Sequence, residues 1–261
     1  MKIFLSFALI FILMSAAFIS CRQKEKGDPP TLPPAETMQI DFSNFIVTYG
    51  ASLSSLDVKG IDDSNWRTAA GIVFPWQEFT DLIPVRVYKA AVGYNAFLLS
   101  GSKWEWRYDV YAGAEYEVRL TGETSKTQVK WEMYVSSGSF PEFKWLEGTS
   151  NINGNSGSWT LYESHDSPTT LLQIDWTKAG ANIEKIKYTY LKSGTNKDSY
   201  IEYGSASGDY NFYYTVHYYN ESLDKFSDTN IEWRKPSNAG RIYLDGAWRC
   251  WNDQRNNILC N

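Results

Sequence analysis

Strict alternation of apolar and polar residues is the feature that most constrains this chain. In residues 103–111 the even positions hold Trp, Trp, Tyr and Val, and the odd positions include Lys, Glu, Arg and Asp. Successive side chains of a β-strand point to opposite faces, so this pattern predicts a strand with one buried face and one solvated face. The same period recurs later in the chain, at 116–120, 129–135, 159–161, 172–176, 186–190, 210–218 and 231–233.

Turn-rich segments separate these strands, and no long helical segment lies between them. Parallel pairing needs long crossover connections, so we predict an antiparallel up-and-down meander. It has about ten strands and covers residues 103–243. A meander of this kind protects its edges either by closing into a barrel or by staying open as a curved, covered half-barrel. The fold class is therefore mainly β.

Helical periodicity precedes the meander. Asp62, Asp63 and Ser64 are helix-start residues, and apolar residues at 66, 69, 70 and 73 follow at helical spacing. Pro75 and Pro84 interrupt the pattern, because proline is costly inside a helix. We predict two or three short helices within residues 62–96, jointed at the prolines and packed against the meander. Residues 41–48 are either a first strand or a short lead-in segment.

The N-terminus has the residue pattern of a targeting signal. Lys2 precedes an almost unbroken apolar run from residue 3 to 18, which is typical of a secretory signal peptide. A retained membrane helix is the alternative, since about 17–25 apolar residues span a bilayer. The run ends at Ser20-Cys21, and charged residues begin at Arg22.

This ending resembles the lipobox of bacterial lipoproteins, in which a small residue precedes the modified cysteine. The resemblance implies that the signal peptide (1–20) is cleaved before Cys21 and that Cys21 is acylated. A plain cleaved signal peptide stays open as an alternative. The resemblance also implies that the protein is exported and anchored to a membrane, namely the outer membrane of a Gram-negative bacterium. Several acyl chains hold a protein on a bilayer almost permanently.

Residues 21–37 are expected to be a tether. Four of the nine prolines fall between residues 29 and 34, and Leu32 is the one large apolar residue between 22 and 36. Such a segment buries too little surface to fold, and its Pro pairs keep it extended. The sequence therefore predicts one β-rich domain over residues 38–261.

The cysteines suggest a disulfide. With Cys21 lipidated, Cys250 and Cys260 remain as an even pair in an exported chain, where oxidation is allowed. A bridge between them would pin the C-terminal tail, residues 244–261. Two buried free thiols are the alternative.

Composition argues against several classes of function. With 25 Lys and Arg against 30 Asp and Glu, the net charge of −5 gives no electrostatic footprint for nucleic acid, whose binding rests on a clustered basic surface. Two His and three Cys provide few ligands for a metal site and few residues for a histidine-based catalytic centre. We therefore assign no catalytic residue, no metal and no cofactor. A glycoside-hydrolase-type enzyme with paired carboxylates is the enzymatic alternative, although strand carboxylates such as Glu105, Glu132 and Glu232 fall on the solvated face.

Aromatic residues are in excess, with 11 Trp and 18 Tyr. They either fill the core of a wide sheet or line a cavity for an apolar or amphiphilic small molecule. The candidate lining residues share one face of successive strands: Trp104, Trp106, Trp131, Trp159, Trp176, Tyr188, Tyr190, Tyr214 and Trp233. The alternative is a surface module that binds a glycan or a protein through outer-face tyrosines, such as Tyr134, Tyr162, Tyr213 and Tyr219.

The C-terminal region carries three short motifs, Ile231-Glu232-Trp233, Gly240-Arg241 and Trp248-Arg249-Cys250-Trp251. In these the chain resembles uncharacterised bacterial surface lipoproteins, a resemblance that brings no activity with it. The expected architecture is similar to that of lipocalins and lipoprotein carriers. Together these features predict a membrane-anchored, non-enzymatic binding protein.

Overall fold

The structure is a computed structural model that describes residues 27–46 and 62–260. The predicted signal peptide, Cys21 and the last two residues of the 41–48 segment lie outside this range. Among the helices in the described ranges, none combines the length and the apolar character needed to cross a membrane.

The alternating segments form strands as predicted, and the described residues contain fourteen of them in one sheet. Their bounds are β1 (Phe97–Ser100), β2 (Lys103–Tyr111), β3 (Glu115–Thr124), β4 (Gln128–Ser137), β5 (Phe140–Asn151), β6 (Ser156–Tyr162), β7 (Thr170–Ala179), β8 (Asn182–Tyr190), β9 (Tyr200–Ser205), β10 (Phe212–Asn220), β11 (Lys225–Trp233), β12 (Gly240–Leu244), β13 (Ala247–Trp251) and β14 (Asn257–Ile258).

The sheet is a simple meander. Every strand pairs antiparallel with the strands before and after it in sequence. The expectation of about ten strands was too low, because β1 and β12–β14 are short and carry little alternation. Of the two alternatives for the sheet edges, the closed barrel is wrong: within the described residues β1 and β14 do not pair, so the sheet stays open.

Two α-helices of the described part cover the face that we call the inner face. They are α1 (Ser64–Gln77) and α2 (Ile83–Ala90), and 3₁₀ turns follow each of them at Glu78–Asp81 and Ala91–Gly93. Pro84 lies in the first turn of α2, where its missing N–H costs nothing. Pro75, by contrast, lies inside the last turn of α1 and does not break it, which corrects the predicted joint.

The chain before α1 also packs on the inner face. We call residues 30–45 the strap. Pro33 and Ala35 are buried, and residues Ala35–Met38 form a 3₁₀ turn. The packed chain therefore begins near Pro30 rather than near Met38, and the tether is shorter than the sequence predicted. Residues 41–46 are a lead-in segment with a 3₁₀ turn at Ser43–Phe45 and not a strand.

The C-terminal tail belongs to the sheet, whereas the sequence predicted that the meander ends near residue 243 and that a disulfide-pinned tail follows within the same domain. β13 pairs with β12 and β14 pairs with β13. The Cα atoms of Cys250 and Cys260 lie 5.3 Å apart and the two residues form a disulfide, which fits the predicted pairing. The side chain of Asn257 contacts the start of α1, accepting from the Asn65 amide at 3.1 Å and donating to the Ser64 hydroxyl at 2.8 Å.

Inner tryptophans lie directly over glycines of the neighbouring strand. The cross-strand pairs are Gly122–Trp131, Gly148–Trp159, Gly157–Trp176 and Gly240–Trp251. A Cβ atom at Gly148 would stand 2.4 Å from the ring of Trp159. Because glycine has no side chain, each of these positions leaves space for the indole ring of the tryptophan on the neighbouring strand.

Candidate functional site

The structure brings the nine predicted lining residues together on the inner face, as the alternation implies. Trp106, Trp131, Trp159, Trp176, Tyr188, Tyr214 and Trp233 are buried. Trp104 and Tyr190 are half-buried. What the sequence left open is what these side chains contact.

The polar atoms of three of them, Trp159, Tyr188 and Tyr214, contact the strap. The Trp159 indole donates to the Thr37 hydroxyl at 3.1 Å, and the Tyr214 hydroxyl donates to the Asp41 carbonyl at 2.5 Å. Burial raises the pKa of the Tyr214 hydroxyl, so this group stays protonated and remains a donor. These three side chains therefore bind the backbone and a hydroxyl of the protein's own N-terminal segment.

Their rings contact the helices and the strap. Tyr88 of α2 lies 5.2 Å from the ring of Trp159, and Phe45 of the strap lies 5.3 Å from the ring of Trp233, both edge-on. Pairs of this kind add about 0.5–1.5 kcal/mol beyond the area that they bury. On the described residues, the interpretation of the inner aromatics as core packing is the one that these contacts favour.

The outer-face carboxylates are held by basic residues. Glu132 and Glu147 are cross-strand neighbours, and they pair with Lys130 at 3.0 Å and Lys144 at 2.5 Å. Burial opposes ionisation of Glu147, but hydrogen bonds from Lys144 and Tyr162 outweigh it and lower its pKa below the ordinary value. A general acid of a glycosidase needs a raised pKa, so Glu147 is unsuited to that role.

Glu105 departs from its predicted position in solvent. It lies on the outer face, yet its side chain is only 2% exposed and contacts Arg107, with Arg119 4.0 Å away. A buried carboxylate of this kind requires such a partner, because an unpaired buried charge is costly. Sequence alternation alone cannot reveal that neighbouring side chains cover a polar position.

The outer tyrosines are tied to neighbouring side chains. The Arg119 guanidinium lies 4.3 Å above the ring of Tyr134, and the Tyr213 hydroxyl donates to Glu202 at 3.0 Å. Tyr162 and Tyr219 are likewise half-buried, hydrogen-bonded to Glu147 and Asp224. These residues therefore do not present a row of free rings.

A groove of about 710 Å³ opens where β9–β13 end. That volume falls within the range of small-molecule sites, about 300–1,000 Å³. Its walls combine aromatic rings with hydrogen-bonding side chains, among them Tyr210, Phe212, Tyr213, Glu232, Arg234, Arg241, Trp251, Asn252, Asp253 and Gln254. Sequence reasoning did not identify this site.

Arg241 is the centre of one wall. Its guanidinium lies 4.6 Å from the ring of Tyr210 and 4.1 Å from the ring of Trp248, and it pairs with Glu232 at 2.6 Å. Arg234 is exposed, lies 5.7 Å from the same Tyr210 ring and donates to the Asp209 carbonyl at 3.0 Å. The wall is thus preorganised and mixed in charge.

The three C-terminal motifs converge at this groove because of the strand register. Glu232 pairs across the sheet with Arg241, and Arg241 pairs with Cys250. One position further along each strand, Trp233, Gly240 and Trp251 form the matching inner row. The motif spacing was the one sequence signal that points to the groove, but only the register shows that the motifs meet.

Over the described residues, no three His, Cys, Asp or Glu side chains come together as metal ligands. His165 stacks on Phe140 with 4.3 Å between the ring centroids, and His217 lies 2.7 Å from Asp228 on the outer face. No protein-family model, curated protein or solved structure matches the chain.

Proposed function

We propose that the protein is an exported, lipid-anchored module that binds carbohydrate, without catalysis, in the groove at the end of β9–β13. The observation that supports it most directly is the Arg241 guanidinium held against the Tyr210 ring, beside side-chain amides and carboxylates that line the same groove. A sugar presents an apolar ring face together with a rim of hydroxyls, and aromatic faces beside fixed polar groups suit both.

The charge of the groove supports an uncharged polyhydroxyl ligand. Arg234 and Arg241 face Glu232, Asp209 and Asp253, so neither sign dominates the lining. A phosphate or carboxylate ligand would be favoured by an excess of basic groups, as in Arg-rich sites. Hydroxyl groups, which both donate and accept, satisfy the two kinds of side chain equally.

The inner aromatic face is the less favoured site. An apolar ligand there would have to displace the strap and helices, breaking contacts such as the one between Trp159 and Thr37. Paired carboxylates are also less favoured, because Glu132 and Glu147 each have a lysine partner. The anchored protein therefore binds its ligand in the groove and not on the inner face.

The test is titration of the purified full-length protein in detergent with a panel of neutral oligosaccharides. We expect saturable binding that the Tyr210→Ala and Arg234→Ala variants each weaken tenfold or more, about 1.4 kcal/mol. Tyr219→Ala, at the opposite end of the sheet, is the matched control and is expected to bind as the wild type does. Loss of affinity in the control alone, or no binding to any sugar below about 1 mM, would overturn the proposal.

A further inference from the structure

A second cleft opens at the other end of the sheet from the groove. Its volume is about 410 Å³, within the range of small-molecule sites. It is bordered by the last turns of α1, the 3₁₀ turn at Glu78–Asp81, the turn between β8 and β9, and the end of β10. The cleft and the groove share no lining residue, so the cleft is a separate site.

Aromatic rings line much of the cleft. The ring centroids of Trp76 and Phe79 lie 5.9 Å apart, and those of Phe79 and Tyr190 lie 6.0 Å apart, with the planes tilted by 52° and 49°. Tyr218 and Tyr219, at the end of β10, line the cleft as well. The faces of such rings, that of tryptophan above all, attract cations.

The charged side chains that line the cleft are both acidic. Glu78 and Glu221 are exposed, and neither forms an ion pair with a described residue. The segments that border the cleft, 71–81, 190–199 and 218–225, contain six further charged residues, namely Asp81, Asp198, Asp224, Lys192, Lys197 and Lys225. These three acids and three bases balance one another, and none of them lines the cleft. The lining itself therefore favours a positively charged ligand.

A buried hydroxyl in the lining of the cleft has no partner. Ser199 is only 4% exposed, and its hydroxyl forms no hydrogen bond with any described residue. Its backbone is fully paired, because the amide donates to the Asn196 carbonyl at 3.1 Å and the carbonyl accepts from the Tyr190 amide at 2.9 Å. Burial of an unpaired polar group is costly. This hydroxyl is therefore suited to bind a polar group of a ligand.

We propose that the cleft binds a free organic cation that carries a quaternary ammonium group and a hydroxyl. A quaternary ammonium group has no N–H to donate, so aromatic faces and nearby negative charge recognise it. The rings supply the faces, the two glutamates supply the charge, and Ser199 binds the hydroxyl of the ligand. The cleft is open in the folded protein, so the ligand enters it without displacing the strap or the helices. The proposal does not depend on carbohydrate binding in the groove.

Calorimetric titration of the full-length protein, in a polyoxyethylene detergent that contains no choline group, tests the proposal. The two probes are choline and its neutral carbon analogue, in which a tert-butyl group replaces the trimethylammonium group. We expect choline to bind with a Kd below about 1 mM, and at least tenfold more tightly than the neutral alcohol. Weaker binding of choline, or a smaller preference over the alcohol, overturns the proposal.

Glycerophosphocholine distinguishes a free cation from a lipid headgroup. It carries the same trimethylammonium group next to a phosphate, as the headgroup of phosphatidylcholine does. We expect it to bind more weakly than choline, because its phosphate is repelled by Glu78 and Glu221. Binding as tight as that of choline, or tighter, overturns the assignment to a free cation.

Two variants test the charge and the ring faces. Glu221→Gln and Tyr190→Leu are each expected to weaken choline binding at least twofold and to leave binding of the neutral alcohol unchanged, since one removes a charge and the other a ring face. Glu115→Gln, at an exposed position on β3, is the matched control and is expected to bind choline as the wild type does. Equal losses in the control, or equal losses for choline and the alcohol, contradict cation recognition.

Ser199→Ala separates binding from folding. We expect it to weaken choline binding at least twofold without lowering the melting temperature, because the hydroxyl has no partner among the described residues. A hydroxyl that serves only the fold predicts the opposite pattern. Unchanged affinity for choline, or a lower melting temperature, therefore overturns the role given to Ser199.

Discussion

The hydroxyl of Tyr188 on β8 donates to the Met38 carbonyl at 2.5 Å and accepts from the Ile40 amide at 3.1 Å. One buried side chain therefore satisfies two backbone groups of the strap, which has no strand neighbour of its own at these positions. Burial raises the pKa of this hydroxyl, so it stays protonated and remains a donor at neutral pH. The inner aromatics thus act as a template for the strap.

Tyr188→Phe is expected to lower the free energy of unfolding by about 1–3 kcal/mol, because two buried backbone groups lose their partner. Denaturant unfolding of the full-length protein measures the loss. Tyr213→Phe removes a partly exposed hydroxyl bonded to Glu202 and is expected to cost less than about 1 kcal/mol. Equal losses in the two variants would contradict the template role.

Asp41→Asn is expected to reduce stability at neutral pH by about 0.5–1 kcal/mol, since Asp41 is an ion-pair partner of Lys235 and its side chain is 42% exposed. Burial opposes ionisation of Asp41, but hydrogen bonds from Lys235 and Ser43 outweigh it and lower its pKa. The contribution is therefore complete above the unfolded pKa, about 3.9, and is lost as pH falls through the folded value.

Unfolding of the wild type and Asp41→Asn at a series of pH values from 7 to 2 checks this prediction. The two stability curves should converge at the acidic end. Asp109→Asn, at an exposed position on β2, is the control and should follow the wild type throughout. A difference that grows as pH falls would have the wrong sign.

Gly240→Ala is expected to destabilise the protein by about 1–3 kcal/mol, because the new methyl group would stand 2.4 Å from the Trp251 ring and 2.6 Å from the Glu232 carbonyl. Gly138→Ala, in the turn between β4 and β5, meets no atom within 4 Å and is expected to be nearly neutral. Thermal unfolding of both variants makes the comparison. Similar melting temperatures would show that the Gly–Trp pairs carry no packing constraint.

Cys250→Ser/Cys260→Ser is expected to cost about 3 kcal/mol, since the bridge closes a loop of 10 residues. For a chain of this size the melting temperature should fall by roughly 6–12 °C. Reductant should produce the same shift in the wild type and none in the variant. Two free thiols in the denatured, unreduced protein would show instead that the bridge does not form.

Cys21→Ala is expected to release the protein from membranes or to leave the uncleaved precursor, because the lipobox resemblance assigns acylation to this residue. Membrane fractionation together with the mass of the mature N-terminus checks the outcome. Wild-type processing and wild-type membrane association in the variant would contradict the anchor.

Much of the sheet was predictable from sequence, because the alternating pattern of each long strand is contained within that strand. The period of two in β2, β4, β7 and β10 reports burial of one face directly, whichever strand lies beside it. The short strands β1 and β12–β14 were not predicted, because they contain too few residues to show an alternating pattern. The burial of Pro33 was not predicted either. A proline-rich, polar segment is typical of a tether unless residues distant in sequence provide partners for it. Here the Tyr88 hydroxyl donates to the Pro33 carbonyl at 2.7 Å.

The groove was harder to predict than the fold. Arg241 contacts Tyr210, which is 31 residues away in sequence, and no periodicity encodes such a contact. Each motif is unremarkable when read singly. The three motifs become neighbours only through the register of β11, β12 and β13, which the sequence alone does not show.

The route of the strap has a consequence for how the chain reaches its native state. Its contacts with Tyr188 and Tyr214 join residues 148–173 positions apart. The strap leaves a ribosome or a translocation channel before the strands that it contacts, so it finds its partners only after β10 has followed. Non-local contacts of this kind slow folding, because the conformational entropy of a long loop is lost before the contacts can form. The strap should be the last element to acquire protection from hydrogen exchange, after the meander has assembled strand by strand.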